Sequence, residues 1–300
     1  MSGGARSPST ENLEYPALFV AADAASRTGR VGHTRLVTAD LILLAAAALV
    51  GVVFQRLLAP GDRWHFAAAA VLLVLALIAK LATRLRSFDS QWFDGRAVAE
   101  TVKSATWRYA MRAPPYDGDD AAAASAFLAA LRETLAARPG LAPHLYHLPA
   151  DSQQITPSMR QMRALEPPER KQRYLAGRVI DQVEWYRAKA AAAARAAARW
   201  FWIGLGAEAA ALIVAIALVA NPSLPDLVAG LAAIAAVAVA WTQFSRHDEL
   251  GQSYGLAAQE LAFLRSSIEG ATTEAAFHLA VAETEAAISR EHTMWIARRG

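Results

Sequence analysis

Apolar residues gather in four long blocks along this chain, with polar, helix-forming sequence between them. The blocks cover 36–58, 64–85, 200–220 and 224–244. Each is near the roughly 20 residues that an α-helix needs to cross a hydrocarbon core about 30 Å thick. None carries the polar stripe that a helix of a soluble bundle shows over four turns. The pattern predicts an all-α integral membrane protein with four transmembrane helices.

The connections refine this expectation. "APGDR" joins the first two blocks and "NPS" the last two, each with a proline, Pro60 or Pro222. Turns this tight make antiparallel neighbours, so the spans are expected as two hairpins. Pro60 and Pro222 lie 162 residues apart, and Glu100 and Glu260, after each hairpin, lie 160 apart. That spacing reads as an internal duplication. Arginine and lysine gather before the first and third spans and after the second (Arg27, Arg30, Arg35, Lys80, Arg84, Arg86, Arg187, Lys189, Arg195, Arg199). Positive charge beside span ends is retained in the cytoplasm, which predicts cytoplasmic termini and a cytoplasmic middle segment. Trp64, Trp92, Trp200, Trp202 and Trp241 stand at or near span ends, where interfacial anchors belong.

The polar segments predict helical extensions. In "SQWFDGRAVAETVKSATWRYAM", Arg96, Glu100 and Lys103 follow at i, i+4 and i+7, a ladder with a carboxylate between two cations. Trp92 and Trp107 extend the same face. The plain reading is a solvated, salt-bridged helix continuing the second span; the functional one is a surface for oligomerisation or gating. A helix over 121–137 follows, capped by Asp119 or Asp120, with Phe127, Leu128, Leu131 and Leu135 on one face. Further on, Arg178, Asp181, Trp185 and Lys189 share helical spacing on a helix that runs into the third span. They suit a juxtamembrane basic face, or the binding of an anionic ligand or lipid headgroups. The last segment is amphipathic, with Phe277, Val281, Ile288 and Trp295 as its apolar stripe. Glu285 and His292 share a face, but two ligands do not hold a metal, and no metal site is expected.

Composition removes several function classes. The 300 residues include no cysteine, which excludes disulfides, thiolate metal sites and cysteine nucleophiles. A net charge of +3 gives no argument for nucleic-acid binding. The polar N-terminus lacks the h-region of a cleaved signal peptide. "GLGAEA" at 204–209 matches a dinucleotide fingerprint, but lies inside a membrane span with no strand before it. Walker, H-E-x-x-H and G-x-S-x-G motifs are absent, so neither a cofactor nor an enzymatic activity is expected.

Two stretches carry a family resemblance. "WFDGRAVAETVKSATWRY" resembles the post-hairpin helix of the SLATT superfamily, the two-transmembrane effector domains associated with SMODS and SLOG. "ITPSMRQMRALEPPERKQRYLAGRVIDQVEWYRAKA", with its D-Q-x-x-W-Y-x-x-K-A core at 181–190, is similar to the lead-in of another subtype. "AVAETEAAISREHTMW" is similar to that subtype's last helix. The resemblance implies two modules in tandem, 1–112 and 158–300, with a linker over 113–157 that holds one helix. It also implies a bacterial inner-membrane effector of nucleotide-linked immunity, acting by an oligomeric pore that depolarises the cell during phage attack. A nucleotide second messenger or a sensor protein would then be read by the cytoplasmic helices. The residues in view for such interaction or gating are Trp92, Arg96, Glu100, Lys103 and Trp107, then Asp181, Trp185, Tyr186 and Lys189, then Glu285, His292 and Trp295. The alternatives are a membrane-anchored scaffold without conductance and, less favoured, a small transporter.

Three charges fall inside the spans: Asp40, Lys80 and Glu208. Asp40 lies 20 residues before Pro60 and Lys80 lies 20 after it, so a hairpin sets them at similar depth. They either pair or snorkel separately. Glu208 lies 14 residues before Pro222, opposite "IAAVAV", where nothing can pair with it. At 1.5 Å per residue it is roughly 12 Å inside the span. It must be protonated, face the other hairpin or another subunit, or line water.

Overall fold

The computed structural model describes residues 13–57, 63–145, 152–224 and 226–297, with the side chains of 51–57 and 290–297 excluded. The described residues form helices and no strand. In chain order the first helices are α1 (Ala17–Leu57), α2 (Trp64–Leu85), α3 (Phe88–Ala110) and α4 (Asp120–Ala136). After a 3₁₀ turn (Pro139–His144) come α5 (Pro157–Ala164) and α6 (Pro167–Tyr174). A π-helical turn (Leu175–Ile180) leads into α7 (Asp181–Ala220), followed by α8 (Val228–Ser245), α9 (His247–Gly270) and α10 (Glu274–Ala297). Four helical stretches are long and apolar enough to cross a membrane. The chain is a multi-pass membrane protein.

Both lead-in helices are longer than their apolar blocks. α1 starts at Ala17, well before the expected 36, because alanine-rich sequence with Asp23 and Arg27 paired at i, i+4 keeps the helix going outside the apolar run. α7 likewise runs without a break from Asp181 to Ala220. The helices that leave the spans do break. Ser87, with φ 46°, separates α2 from α3, and Arg246, with φ 47°, separates α8 from α9. Neither is glycine, so each holds a left-handed conformation that L-residues disfavour. The expected continuation of the second span into "SQWFDG" is therefore corrected to a break at Ser87.

Compact units divide the chain differently from its duplication. One unit takes the described residues of 1–30, 89–189 and 253–300; the other takes 31–88 and 190–252. Each unit draws on both halves of the sequence.

In the first unit, α3 is the central helix. Gly95, Val98, Ala99 and Val102 are buried on it, and Trp107, Tyr109 and Ala110 complete the face. A Cβ on Gly95 would lie 2.8 Å from the Ala22 carbonyl oxygen and 2.8 Å from the Ser26 amide nitrogen of α1. Only glycine permits that approach. The core includes Leu13, Leu18 and Ala22 from α1 and its approach, and Phe127 and Leu131 from α4. It also takes Tyr174, Val179, Phe277 and Val281 from the second half of the chain. Asp119 caps α4 as expected, its carboxylate accepting from the Ala122 amide at 2.8 Å.

In the second unit, the apolar helices touch through small residues and aromatic rings. Trp200 of α7 and Trp241 of α8 have centroids 5.7 Å apart, and a Cβ on Gly204 would meet that of Ala238 at 3.6 Å. α1 meets α8 at His33 and Phe244 (5.6 Å) and again where Leu49 lies 2.9 Å from a Cβ placed on Gly230. Close approach at small residues is how helices pack where no water drives burial. In the "NPS" turn, the Asn221 side chain accepts from the Ser223 hydroxyl at 2.6 Å and from its amide at 3.2 Å. Pro60 lies outside the described residues.

Candidate functional site

Several of the expected interaction residues converge in the first unit on a charged and aromatic cluster. Its centre is Arg178, which the π-helical turn carries on the way into α7. A π turn shifts the side chains after it relative to an α-helix and marks functional segments in many proteins. Arg178 Nε donates to Glu285 Oε1 at 2.9 Å, and Nη2 donates to Oε2 at 2.6 Å. This bidentate fork has its side chains 2% and 0% exposed. The Tyr174 hydroxyl, one turn earlier, donates to the same Oε1 at 3.0 Å. Burial alone would lower the Arg178 guanidinium's pKa, but the Glu285 carboxylate, by charge and by hydrogen bond, raises it above the ordinary value. Burial, then the charge of Glu285, pushes the Tyr174 phenol well up. Both groups hold their protons at physiological pH.

The cluster then spreads onto α3. Ser104 Oγ lies 3.5 Å from Arg178 Nη2 and 3.3 Å from Ser289 Oγ of α10. Trp107 stands edge-on to Tyr174 at 5.7 Å, and its indole Nε1 donates to the Tyr15 hydroxyl at 3.0 Å. Lys103 lies over the Tyr15 ring at 5.9 Å. Burial, then repulsion from Arg178, lowers the Lys103 pKa. Arg96 and Glu100 form the expected i, i+4 ion pair at 2.7 Å, and Arg96 also stacks over Trp185 at 6.0 Å. Lys189 approaches the same indole at 5.5 Å. One tryptophan of the second half thus holds a cation from each half. Tyr186, fully buried, packs with Val183, Leu261 and Ile288.

Several expectations change. α3 is not a solvated salt-bridged helix: Glu100 is 8% exposed and Trp107 3%, because helices of both halves cover it. Glu285 is committed to Arg178 and Tyr174. Asp181 and Lys189 are exposed. The side chains of His292 and Trp295 lie outside the described residues. Tyr15, Ser104, Tyr174 and Ser289 join the cluster without any motif that singles them out. Tyr174 shares a helical face with Arg178 by its i, i+4 spacing, which is the one signal that marks it.

Two further arginines, Arg163 and Arg170, are each 2% exposed. Arg163 donates to the Tyr109, Tyr116 and Gly118 carbonyls at 2.8–2.9 Å and to Asp120 at 2.8 Å. It fixes the α3–α4 loop, and its hydrogen bond lowers the Asp120 pKa. Arg170 bonds the Arg163 carbonyl and Glu274. Both anchors are structural.

The intramembrane charges lie in the second unit. Asp40 is half-buried and Lys80 exposed, and no ion pair joins them. Glu208 is exposed, next to the buried Ala207 and one turn beyond Gly204, which faces Ala238 of α8. It has no hydrogen bond or ion pair among the described residues. An open cleft of about 350 Å³ lies at the end of α8, lined by Thr242, Gln243, Arg246, His247, Asp248 and Glu249, none of them singled out by a motif.

Comparison with known proteins follows the same division into halves. Residues 16–171 match the family described as SMODS and SLOG-associating 2TM effector domain 3, and residues 174–295 match domain 1 of the same series. No curated protein and no solved structure matches this chain significantly. The second match opens at Tyr174, so the Arg178–Glu285 pair belongs to one domain, while Ser104 and Trp107 reach it from the other. The chain is a membrane effector of the SLATT superfamily, carrying two different SLATT domains in tandem.

Proposed function

We propose that the chain assembles as an oligomer in the bacterial inner membrane and passes ions when triggered, with both termini cytoplasmic and without enzymatic chemistry of its own. In this reading the four apolar helices cross as two antiparallel hairpins, and the α3–α7–α10 cluster holds the closed state. A nucleotide second messenger or a sensor protein acting in anti-phage defence would release that cluster. The observation that carries the reading is Glu208: an intramembrane carboxylate exposed on α7, with no partner among the described residues of its own chain. An ionisable group at such depth costs about 2.5–3.5 kcal/mol on insertion scales, which favours water or another subunit beside it. A ring of such carboxylates favours cations. Single-channel recording on the reconstituted wild type and Glu208→Gln tests this. Loss of cation preference in the variant is expected; unchanged selectivity overturns the ring. An oligomer that never conducts, with nucleotide or partner supplied, makes the protein a scaffold instead.

A further inference from the structure

The second unit has one end far more basic than the other. The contacts His33–Phe244, Trp200–Trp241 and Gly32–Phe88 gather residues 32–33, 88, 200 and 241–244 at that end. Arg35, Lys80, Arg84, Arg86, Arg195, Arg199 and Arg246 lie on the segments that lead to it, against Asp40, Asp248 and Glu249. The opposite end holds Arg56, Arg63 and Asp226 among the described residues. Arg246 is near Glu249 (3.7 Å). The other six cations at this end have no carboxylate within ion-pair distance and no hydrogen-bond acceptor for their side chains among the described residues, and five of them are arginines. All six are exposed.

Their arrangement on the helices is also regular. Arg195 and Arg199 stand at i, i+4 on α7, and Trp202, 65% exposed, continues the same face into the apolar block. Lys80 and Arg84 stand at i, i+4 on α2, flanked by the exposed Leu77, Leu81 and Leu85. A cation pair beside exposed apolar side chains, with Trp202 at the level between on α7, matches the vertical order of a phospholipid: phosphate, ester level, acyl chain. The buried arginines of the first unit are matched by carboxylates or carbonyls; these six are matched by nothing among the described residues.

We infer that this end of the second unit is a binding surface for anionic phospholipid headgroups, with Arg195 and Arg199 on α7 and Lys80 and Arg84 on α2 as two phosphate-binding pairs. The inference requires only that the apolar helices lie in a bilayer, not that a pore opens. Arginines that merely orient a chain during insertion are indifferent to headgroup afterwards; a binding surface is not.

The full chain is reconstituted in phosphatidylcholine vesicles that contain increasing brominated phosphatidylglycerol, or brominated phosphatidylcholine as the neutral comparison, and tryptophan quenching gives the relative affinities. Quenching by the anionic lipid at lower mole fraction is expected. Arg195→Gln with Arg199→Gln lowers the preference about fivefold for each charge removed. Lys80→Gln with Arg84→Gln does the same from the other helix, so a variant that fails to insert does not end the test. Arg63→Gln, at the opposite end, leaves the preference unchanged. Equal quenching by the two lipids overturns the inference, as does full preference in both double variants. Loss of the preference on adding millimolar inorganic phosphate also overturns it, because the surface then takes a soluble anion.

Discussion

A guanidinium and a carboxylate that are 2% and 0% exposed are tolerated inside the fold because each answers the other. Removing both from water costs several kcal/mol per ion, and the bidentate fork with the Tyr174 hydroxyl roughly offsets it. The asymmetry matters most: taking away one partner strands the other. Arg178→Met should cost about 3–5 kcal/mol, and Glu285→Gln a comparable amount, read as denaturant unfolding of the detergent-solubilised chain. Arg178→Met combined with Glu285→Leu should cost clearly less than the sum, because neither charge is then left alone. Additive losses would mean that the two side chains act independently, against the geometry. The sequence marks both residues as charges on helical faces but cannot pair them. They are 107 residues apart, and nothing in either segment tells which face another helix will cover. The same gap explains why Glu100 reads as solvated in the sequence and is buried in the fold. In contrast, Glu208 is legible, because a bilayer fixes its surroundings without any knowledge of tertiary contacts.

At the scale of helices, corresponding positions have different surroundings. Gly95 of α3 and Gly255 of α9 lie 160 residues apart, the spacing of Glu100 and Glu260. A Cβ on Gly95 would meet α1 backbone at 2.8 Å, whereas a Cβ on Gly255 would meet nothing within 4 Å. Gly255→Ala should therefore stabilise by up to about 1 kcal/mol through helix propensity alone. Gly95→Ala gains the same propensity but must push two packed helices apart, an overpacking cost of about 1–3 kcal/mol, and should be net destabilising. Midpoints of thermal unfolding for the two variants in one detergent decide this; equal shifts of one sign would show that α3 is not held tightly against α1. Element existence is legible in both halves, since period and apolar length are strong signals. The ends of elements are less so. Ser87 and Arg246 break helices without glycine or proline, and the π turn at 175–180 has no compositional mark.

For the whole molecule, the duplication visible in sequence and the compact units of the fold disagree in an informative way. A chain of two SLATT domains joined end to end would be expected to give two cores. Instead, residues from both domains enter one core: Val98, Trp107 and Phe127 from the first, and Tyr174, Val179, Phe277 and Val281 from the second. Phe277 is 3% exposed and Val281 0%, so neither domain could expose this surface alone without giving up most of the burial that stabilises it. Each fully buried side chain of this kind contributes about 1.5–3 kcal/mol. Four of them, with Arg178 deprived of Ser104 beside it, are comparable to the whole margin of an ordinary domain. A fragment from residue 158 to the end, which holds the whole second domain, should therefore be degraded or open to protease along α10, while still inserting its apolar helices. Co-expression with a fragment that ends before residue 152 should restore protection, because packing and hydrogen bonds, not covalent links, hold the shared interior together. A second domain that resists protease alone, to the same extent as in the intact chain, would show that its own core suffices. Restored protection would instead mean that the two domains report on each other through one packed interior, so that a signal reaching either could disturb both.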